Sequence, residues 1–239
     1  MLIYGINPVI EALKSKRVTR LRVSARSDRR IEEIIELASR QKVPFERVDA
    51  AVLQRASRGG LHQGVVADVE DQHEYGVKDL VAGLPLVPLV VVLDGIEDPH
   101  NVGAILRTCD ATGVTGVIRQ ERRSAALDGV VGKASAGALA HVRIATVVNV
   151  ARAVEELKAA NVWTVGLTAD ASDLYTDVDW TLPSAVVLGA EGTGLRRLVA
   201  ETCDRLVRIP MRGIVESLNV SVAAGVVLYE VVRQRSEKS

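Results

Sequence analysis

The chain has 239 residues, 48% hydrophobic and 25% charged, with 30 Lys and Arg against 30 Asp and Glu. That balance excludes a disordered chain, and no apolar run approaches the ~18 residues of a helical membrane span. Cys109 and Cys203 lie far apart without a partner motif, so neither a disulfide framework nor a metal site is expected; both read as buried, inert thiols in a reducing cytoplasm.

Charge is unevenly spread. Residues 1–70 carry 13 Lys and Arg against 9 Asp and Glu, and the remainder reverses this, 17 against 21. The excess is densest from Lys14 through Arg17, Arg20, Arg22, Arg26 and Arg29 to Arg30. An anionic partner is one reading of this segment. A solvated surface balanced by Glu32, Glu33 and Glu36 is the other.

In chain order, Asn7-Pro8 predicts the cap and first position of a helix with Val9, Ile10 and Leu13 on its apolar face. Val18 to Ser24 alternates as a half-exposed strand. Asp28 caps a helix reaching Gln41, with Ile31, Ile34, Ile35 and Ala38 on one face. A strand at Phe45–Val48, a helix capped by Asp49 and a strand at 64–69 complete an α/β/α sandwich of about 70 residues, a size that folds alone. Residues 71–86 read as a linker, polar first and then carrying Gly83 and Pro85. The second domain, 87–239, opens with the continuous apolar run of a buried parallel strand, Leu89 to Leu93. Further strands are expected at 114–118, 142–147, 162–167, 185–188 and 205–209. Helices fit 101–112, 127–136, 149–160, 195–201 and 217–235, with a frayed tail from Arg233.

Three strand-to-helix turns are unusually polar: Asp94 to Gly103, Gly189 to Gly194, and Ile209 to Ala223. In a parallel sheet such turns share one edge, where α/β proteins bind ligands. Each residue there also has a plain structural reading. The glycines suit tight turns, Ser217 and Asn219 suit helix caps, and Arg107 suits an ion pair with Asp110. Coincidence favours a site, because Asn101, Arg107, Glu191, Ser217 and Asn219 all fall at that edge. The glycine turn lacks the Lys-Ser/Thr of a phosphate-binding loop and comes too late for a dinucleotide fingerprint. His62, His73, His100 and His141 are scattered and read as ordinary surface or core histidines; Trp163, Trp180 and Tyr229 read as core or dimer packing.

The segments Asp98 to Arg107, Leu188 to Leu195 and Ile209 to Ala223 resemble, in order, the three motifs of the SpoU (TrmH) family of RNA ribose methyltransferases. The opening Tyr4-Gly5-Ile6-Asn7-Pro8-Val9 is similar to members with a small substrate-binding domain related to ribosomal protein L30e. The resemblance implies an α/β SPOUT domain whose C-terminal segment forms a trefoil knot. It implies S-adenosylmethionine held by Gly189, Ile209 and Leu218, a homodimer, and a reaction at a ribose 2′-OH of RNA. Arg107 would act on that hydroxyl, with Asn101, Glu191, Ser217 and Asn219 around it. The two-domain layout is most similar to members that methylate a guanosine of 23S rRNA in the peptidyl-transferase loop. Methylation of tRNA or another rRNA nucleotide, and a non-catalytic role in ribosome assembly, are the alternatives. With 3% aromatic residues, recognition would rest on RNA shape and phosphate contacts more than on base stacking.

Overall fold

The computed structural model describes residues 2–25, 28–57, 59–69, 75–83, 87–122, 124–125, 127 and 129–237. The chain divides into two compact units, 1–73 and 74–239.

In the first unit, β1 (Leu2–Tyr4), α1 (Ile6–Lys14), β2 (Val18–Ser24), α2 (Arg29–Arg40), β3 (Phe45–Val48), α3 (Ala50–Ala56) and β4 (Val65–Val69) follow in order. The sheet order is β1-β4-β2-β3, with β2 and β3 parallel and the other pairs antiparallel. The apolar faces of α1 and α2 close over the sheet with Leu13, Leu21, Ile31, Ile34 and Val65 in their core. Asp28 caps α2 as expected, its Oδ1 accepting the Ile31 N–H at 3.0 Å. Helix α1, by contrast, begins earlier than the Asn7-Pro8 signal. Gly5 is its N-cap at φ 94°, and Gln63 Oε1 accepts the Ile6 N–H at 3.1 Å. The acceptor comes from 57 residues away, so a local rule could not find it. Arg26 and His73 lie outside the described residues.

Much of the basic excess is neutralised. Arg20 and Arg22 pair with Glu46, Arg22 also with Asp68, Arg29 with Glu33, Arg40 with Glu36 and Arg47 with Glu32.

The second unit begins inside the expected linker. Residues 71–74 and 84–86 lie outside the described residues, but Val77–Leu80 forms a 3-10 turn. Val77 and Leu80 are buried beside Ile118 and Val154, so this stretch is part of the domain core. Next come β5 (Leu89–Asp94), α4 (Pro99–Ala111), β6 (Gly116–Gln120), α5 (Gly129–Ala134), β7 (Ile144–Val147) and α6 (Val150–Ala159). The remainder is β8 (Trp163–Leu167), β9 (Asp173–Leu174), β10 (Ser184–Gly189), α7 (Arg197–Thr202), β11 (Arg205–Arg208) and α8 (Val220–Glu237). The seven strands run parallel in the order β7-β6-β5-β10-β8-β11-β9, so every strand-to-helix turn emerges on one edge.

Helices cover both faces, which is why β5 is apolar from Leu89 to Leu93. Leu89, Val91 and Leu93 face the core built with α4 and α8, and Val90 and Val92 face the core built with α6. Trp180 is fully buried, whereas Trp163 and Tyr229 are more than half exposed. Cys109 is buried in α4, and Cys203 lies just past α7; burial raises both thiol pKa values, Cys203 to about 12.

The last described turns of α8, through Glu237, are tied down instead of frayed. Arg233 pairs with Glu230 and Glu237. Arg235 donates to the carbonyls of Val87, Pro88, Trp180 and Leu182. Among the described residues no helix is long and apolar enough to cross a membrane.

Candidate active site

Three turns build one site at the carboxyl ends of β5, β10 and β11. After β5, Asp98 caps α4, its Oδ1 accepting the His100 N–H at 3.0 Å, and Pro99 takes the first helical position. This places Asn101 in the first turn of α4, 6% exposed.

After β10 the chain doubles back on itself. A Cβ on Gly189 would lie 2.1 Å from the Gly194 carbonyl carbon. The loop closes through Gly194 N–H to Ala190 O at 2.9 Å, with Gly192 and Gly194 at φ 78° and 66°. Glycine is required at these positions for close approach or for left-handed backbone.

After β11 the segment 209–219 crosses the same edge before α8 begins. Asn219 ends it as the cap of α8: its Oδ1 accepts from Ser221 N and Oγ at 2.9 and 2.6 Å. Its Nδ2 donates to Glu191 Oε1 at 2.6 Å and to Asn101 Oδ1 at 2.9 Å. One amide therefore joins all three turns, and its own hydrogen bonds fix which way it faces.

The loops surround a cavity of about 700 Å³. Gly189, Glu191, Ile209, Ser217, Leu218 and Asn219 line it, together with Leu167 to Asp170 from the end of β8. Sequence reasoning misses the β8 wall, because that turn carries no distinctive residue pattern; only its position at a parallel strand end marks it. Asn101 stands behind Asn219. Arg107 does not line the cavity. It is exposed on α4, and among the described residues its side chain has neither the Asp110 ion pair nor a hydrogen bond. Six residues beyond Asn101, it leaves the helix about 9 Å further along and on a different side.

The cavity suits a small organic cofactor in size, since such sites span roughly 300–1,000 Å³. Its chemistry fits as well. Among the described residues, no backbone N–H or C=O from Met211 to Leu218 is hydrogen-bonded within the chain, so these groups are open to a ligand. Among the described residues no cluster of His, Cys, Asp or Glu could hold a metal ion.

A parallel α/β domain with such a cavity, joined to a separate mixed α/β unit, defines a two-domain protein with a small-molecule site at the carboxyl edge of its sheet. Comparison with known proteins makes the class specific. Residues 88–229 match the SpoU rRNA methylase family, and residues 2–75 match the RNA 2′-O ribose methyltransferase substrate-binding domain. The chain is 43% identical to 23S rRNA (guanosine-2′-O-)-methyltransferase RlmB of Pseudomonas putida, over 99% of this chain and 97% of that protein. The fold is similar to the SpoU methyltransferase AviRb of Streptomyces viridochromogenes, solved in complex with AdoMet (TM-score 0.75, 25% identity, 99% of this chain and 91% of that one). It is also similar to the AdoMet-bound rRNA methyltransferase of Sinorhizobium meliloti (TM-score 0.72, 26% identity, 97% of this chain and 86% of that one). The chain belongs to the SpoU family of RNA methyltransferases.

Proposed function

We propose that this protein transfers a methyl group from S-adenosylmethionine to the ribose 2′-OH of a guanosine in 23S rRNA, acting as a cytoplasmic homodimer. The observation that carries the reading is the convergence of Asn101, Glu191 and Asn219 at the rim of the 700 Å³ cavity. Near full-length similarity to a relative named for the 23S guanosine reaction supports the RNA and the nucleotide.

Gly189, Ile209 and Leu218 would hold the cofactor, largely through backbone groups, since the 211–218 backbone is otherwise unbonded. When bound, it supplies an electrophilic methyl group on a sulfonium. The chain contributes alignment, because positioned reactants reach very large effective molarities. Ser217 and Asn219 orient the ribose, and Asn101 holds Asn219 from behind. Glu191 Oε1 holds Asn219, which leaves Oε2 to take the hydroxyl proton. Arg107 lowers the hydroxyl pKa by its guanidinium charge and grips an adjacent phosphate with its fork.

Arg107 lies away from the cavity of its own chain, and an apolar stripe on α8 with Val222 and Tyr229 half or more exposed suits a second copy. Both features support a dimer that brings Arg107 of one copy to the cavity of the other. The C-terminal thread of the family is supported by the path of 209–219 over the cavity and the return of α8 onto α4.

The test is incubation with labelled S-adenosylmethionine and separate rRNA and tRNA pools. Label in 23S rRNA at a guanosine resistant to alkaline cleavage is expected. Label confined to tRNA would reassign the substrate, and no label in either pool would remove the enzymatic reading.

A further inference from the structure

Directly beneath the glycine loop lies a carboxylate that the reaction does not use. Asp94 ends β5, in register with Gly189 on the neighbouring strand, and its side chain is completely hidden from solvent. Both of its oxygens are taken by one residue, 102 positions away. Oδ2 accepts the Arg196 backbone N–H at 2.9 Å, and Oδ1 accepts Arg196 Nε at 2.7 Å with Nη2 beside it. Arg196 is the residue on which the glycine loop ends and α7 begins.

Asp94 is buried while the Arg196 side chain is 44% exposed; hiding a carboxylate costs desolvation that cancels much of the pair's attraction, and fixing one arrangement is a better-attested use of such a pair than net stability. Here the segment needing a fixed arrangement is evident. Residues 190–196 include Gly192 and Gly194, both in left-handed backbone, and such a loop has many alternatives to its folded shape. Its first residues meet the site, through Glu191 to Asn219 and through Gly189 on the cavity wall. Its last residue is fastened to Asp94. The Ala190 to Gly194 bond links the two ends, so a shift at Arg196 is transmitted to Glu191.

We propose that Asp94 and Arg196 are a positioning pair: they clamp the exit of the 190–196 loop so that Gly189 and Glu191 are held in the shape that receives the methyl donor. This rests on the cofactor reading above. Neither residue touches the donor or the RNA; they set the fraction of molecules whose loop is ready. If unclamping leaves one loop in ten competent, apparent cofactor affinity falls about tenfold.

The experiment compares Asp94→Asn, Arg196→Ala and Arg196→Lys with Thr164→Val in the full chain. Thr164, on β8, is fully buried and exchanges hydrogen bonds with Asp204 just before β11, so its removal also breaks a buried polar contact, but away from the loop. S-adenosylmethionine affinity is read by calorimetry, RNA affinity by filter binding, and amide exchange over 190–196 by mass spectrometry. Asp94→Asn and Arg196→Ala should weaken S-adenosylmethionine about tenfold, lower kcat and speed exchange across the loop. RNA affinity should not move, and Arg196→Lys should recover part of the loss. Thr164→Val, at a similar fall in Tm, should leave cofactor affinity unchanged. Equal cofactor affinity in Asp94→Asn and wild type, or an equal loss in Thr164→Val, would overturn the clamp. If wild type itself does not bind S-adenosylmethionine, the cofactor reading fails. The clamp is then judged by loop exchange alone, and unaltered exchange in Asp94→Asn sinks it.

Discussion

Glu191 and Asn219, 28 residues apart, meet with Oε1 and Nδ2 separated by 2.6 Å. The second proton of the same amide goes to Asn101, and its oxygen caps α8. Asn219 is thus held on both sides. It presents a donor to the carboxylate, and a reversed amide would set its oxygen against two acceptors.

That saturation predicts a reciprocal pair of variants. Asn219→Asp keeps the capping oxygen but sets a second carboxylate against Glu191. Losing a hydrogen bond to a charged group costs about 1.5–3 kcal/mol, so turnover should fall about 10–100-fold. Adding Glu191→Gln restores a donor opposite the introduced carboxylate and should recover part of the stability that the single change loses, while turnover stays low because glutamine cannot take the hydroxyl proton. Unfolding free energies of the two singles and the double give the coupling. Strictly additive losses would mean that the contact does not hold the turns together.

Gly189→Ala is expected to disable the site without touching any polar group. Its Cβ would sit 2.1–2.4 Å from backbone atoms of Gly194 and Leu195, which are not flexible side-chain ends. The loop must lift, and Glu191 moves with it. S-adenosylmethionine binding should be lost, and overpacking should lower stability by about 1–3 kcal/mol. Near-normal affinity in calorimetry would show that the loop tolerates displacement.

Arg107 yields a different kind of prediction, since it is exposed and does not line the cavity of its own chain. Arg107→Ala should abolish methyl transfer while S-adenosylmethionine still binds. If the arginine serves the partner's cavity, mixing Arg107→Ala chains with Asn219→Ala chains builds heterodimers with one intact site. Activity should then reappear from two inactive preparations. No recovery, in mixtures shown by mass spectrometry to contain heterodimers, would place Arg107 with its own chain's site.

The parts of this molecule that follow local rules are legible in the sequence. Strand β5 declares itself by apolar residues on both faces, and Asp28 and Asp98 by capping positions that the structure fills. Asn101, Glu191 and Asn219 stand out because polar residues occupy turns that need only glycine. Long-range contacts are beyond reach. Gln63 capping α1, Asp94 holding Arg196, and Arg235 pinning the last turns of α8 join residues 57, 102 and up to 148 positions apart. Sequence spacing says nothing about such partners until the sheet order is known. Arg107 illustrates the converse limit: its helix is correctly expected, but the direction of its side chain depends on the rotation of α4, which packing against α5 and α8 decides.

Acid stability supplies the last prediction. Burial pushes the Asp204 carboxyl up, but hydrogen bonds from the Thr164 N–H and hydroxyl and from Lys158 outweigh it, and the net pKa is lowered. The geometry agrees, with contacts of 2.9 and 2.7 Å from Thr164 and 3.0 Å from Lys158 Nζ. A carboxylate whose folded pKa lies below its unfolded value, about 3.9, binds protons more readily when the chain unfolds. Its stabilisation is therefore complete above about pH 4–5 and disappears as pH drops through the folded value. Asp204→Asn should lower Tm at pH 7, and the gap from wild type should narrow steadily below about pH 4. A gap of constant size from pH 7 to pH 3 would mean that the Asp204 charge contributes nothing, and that the variant loses only the shape of its hydrogen bonds.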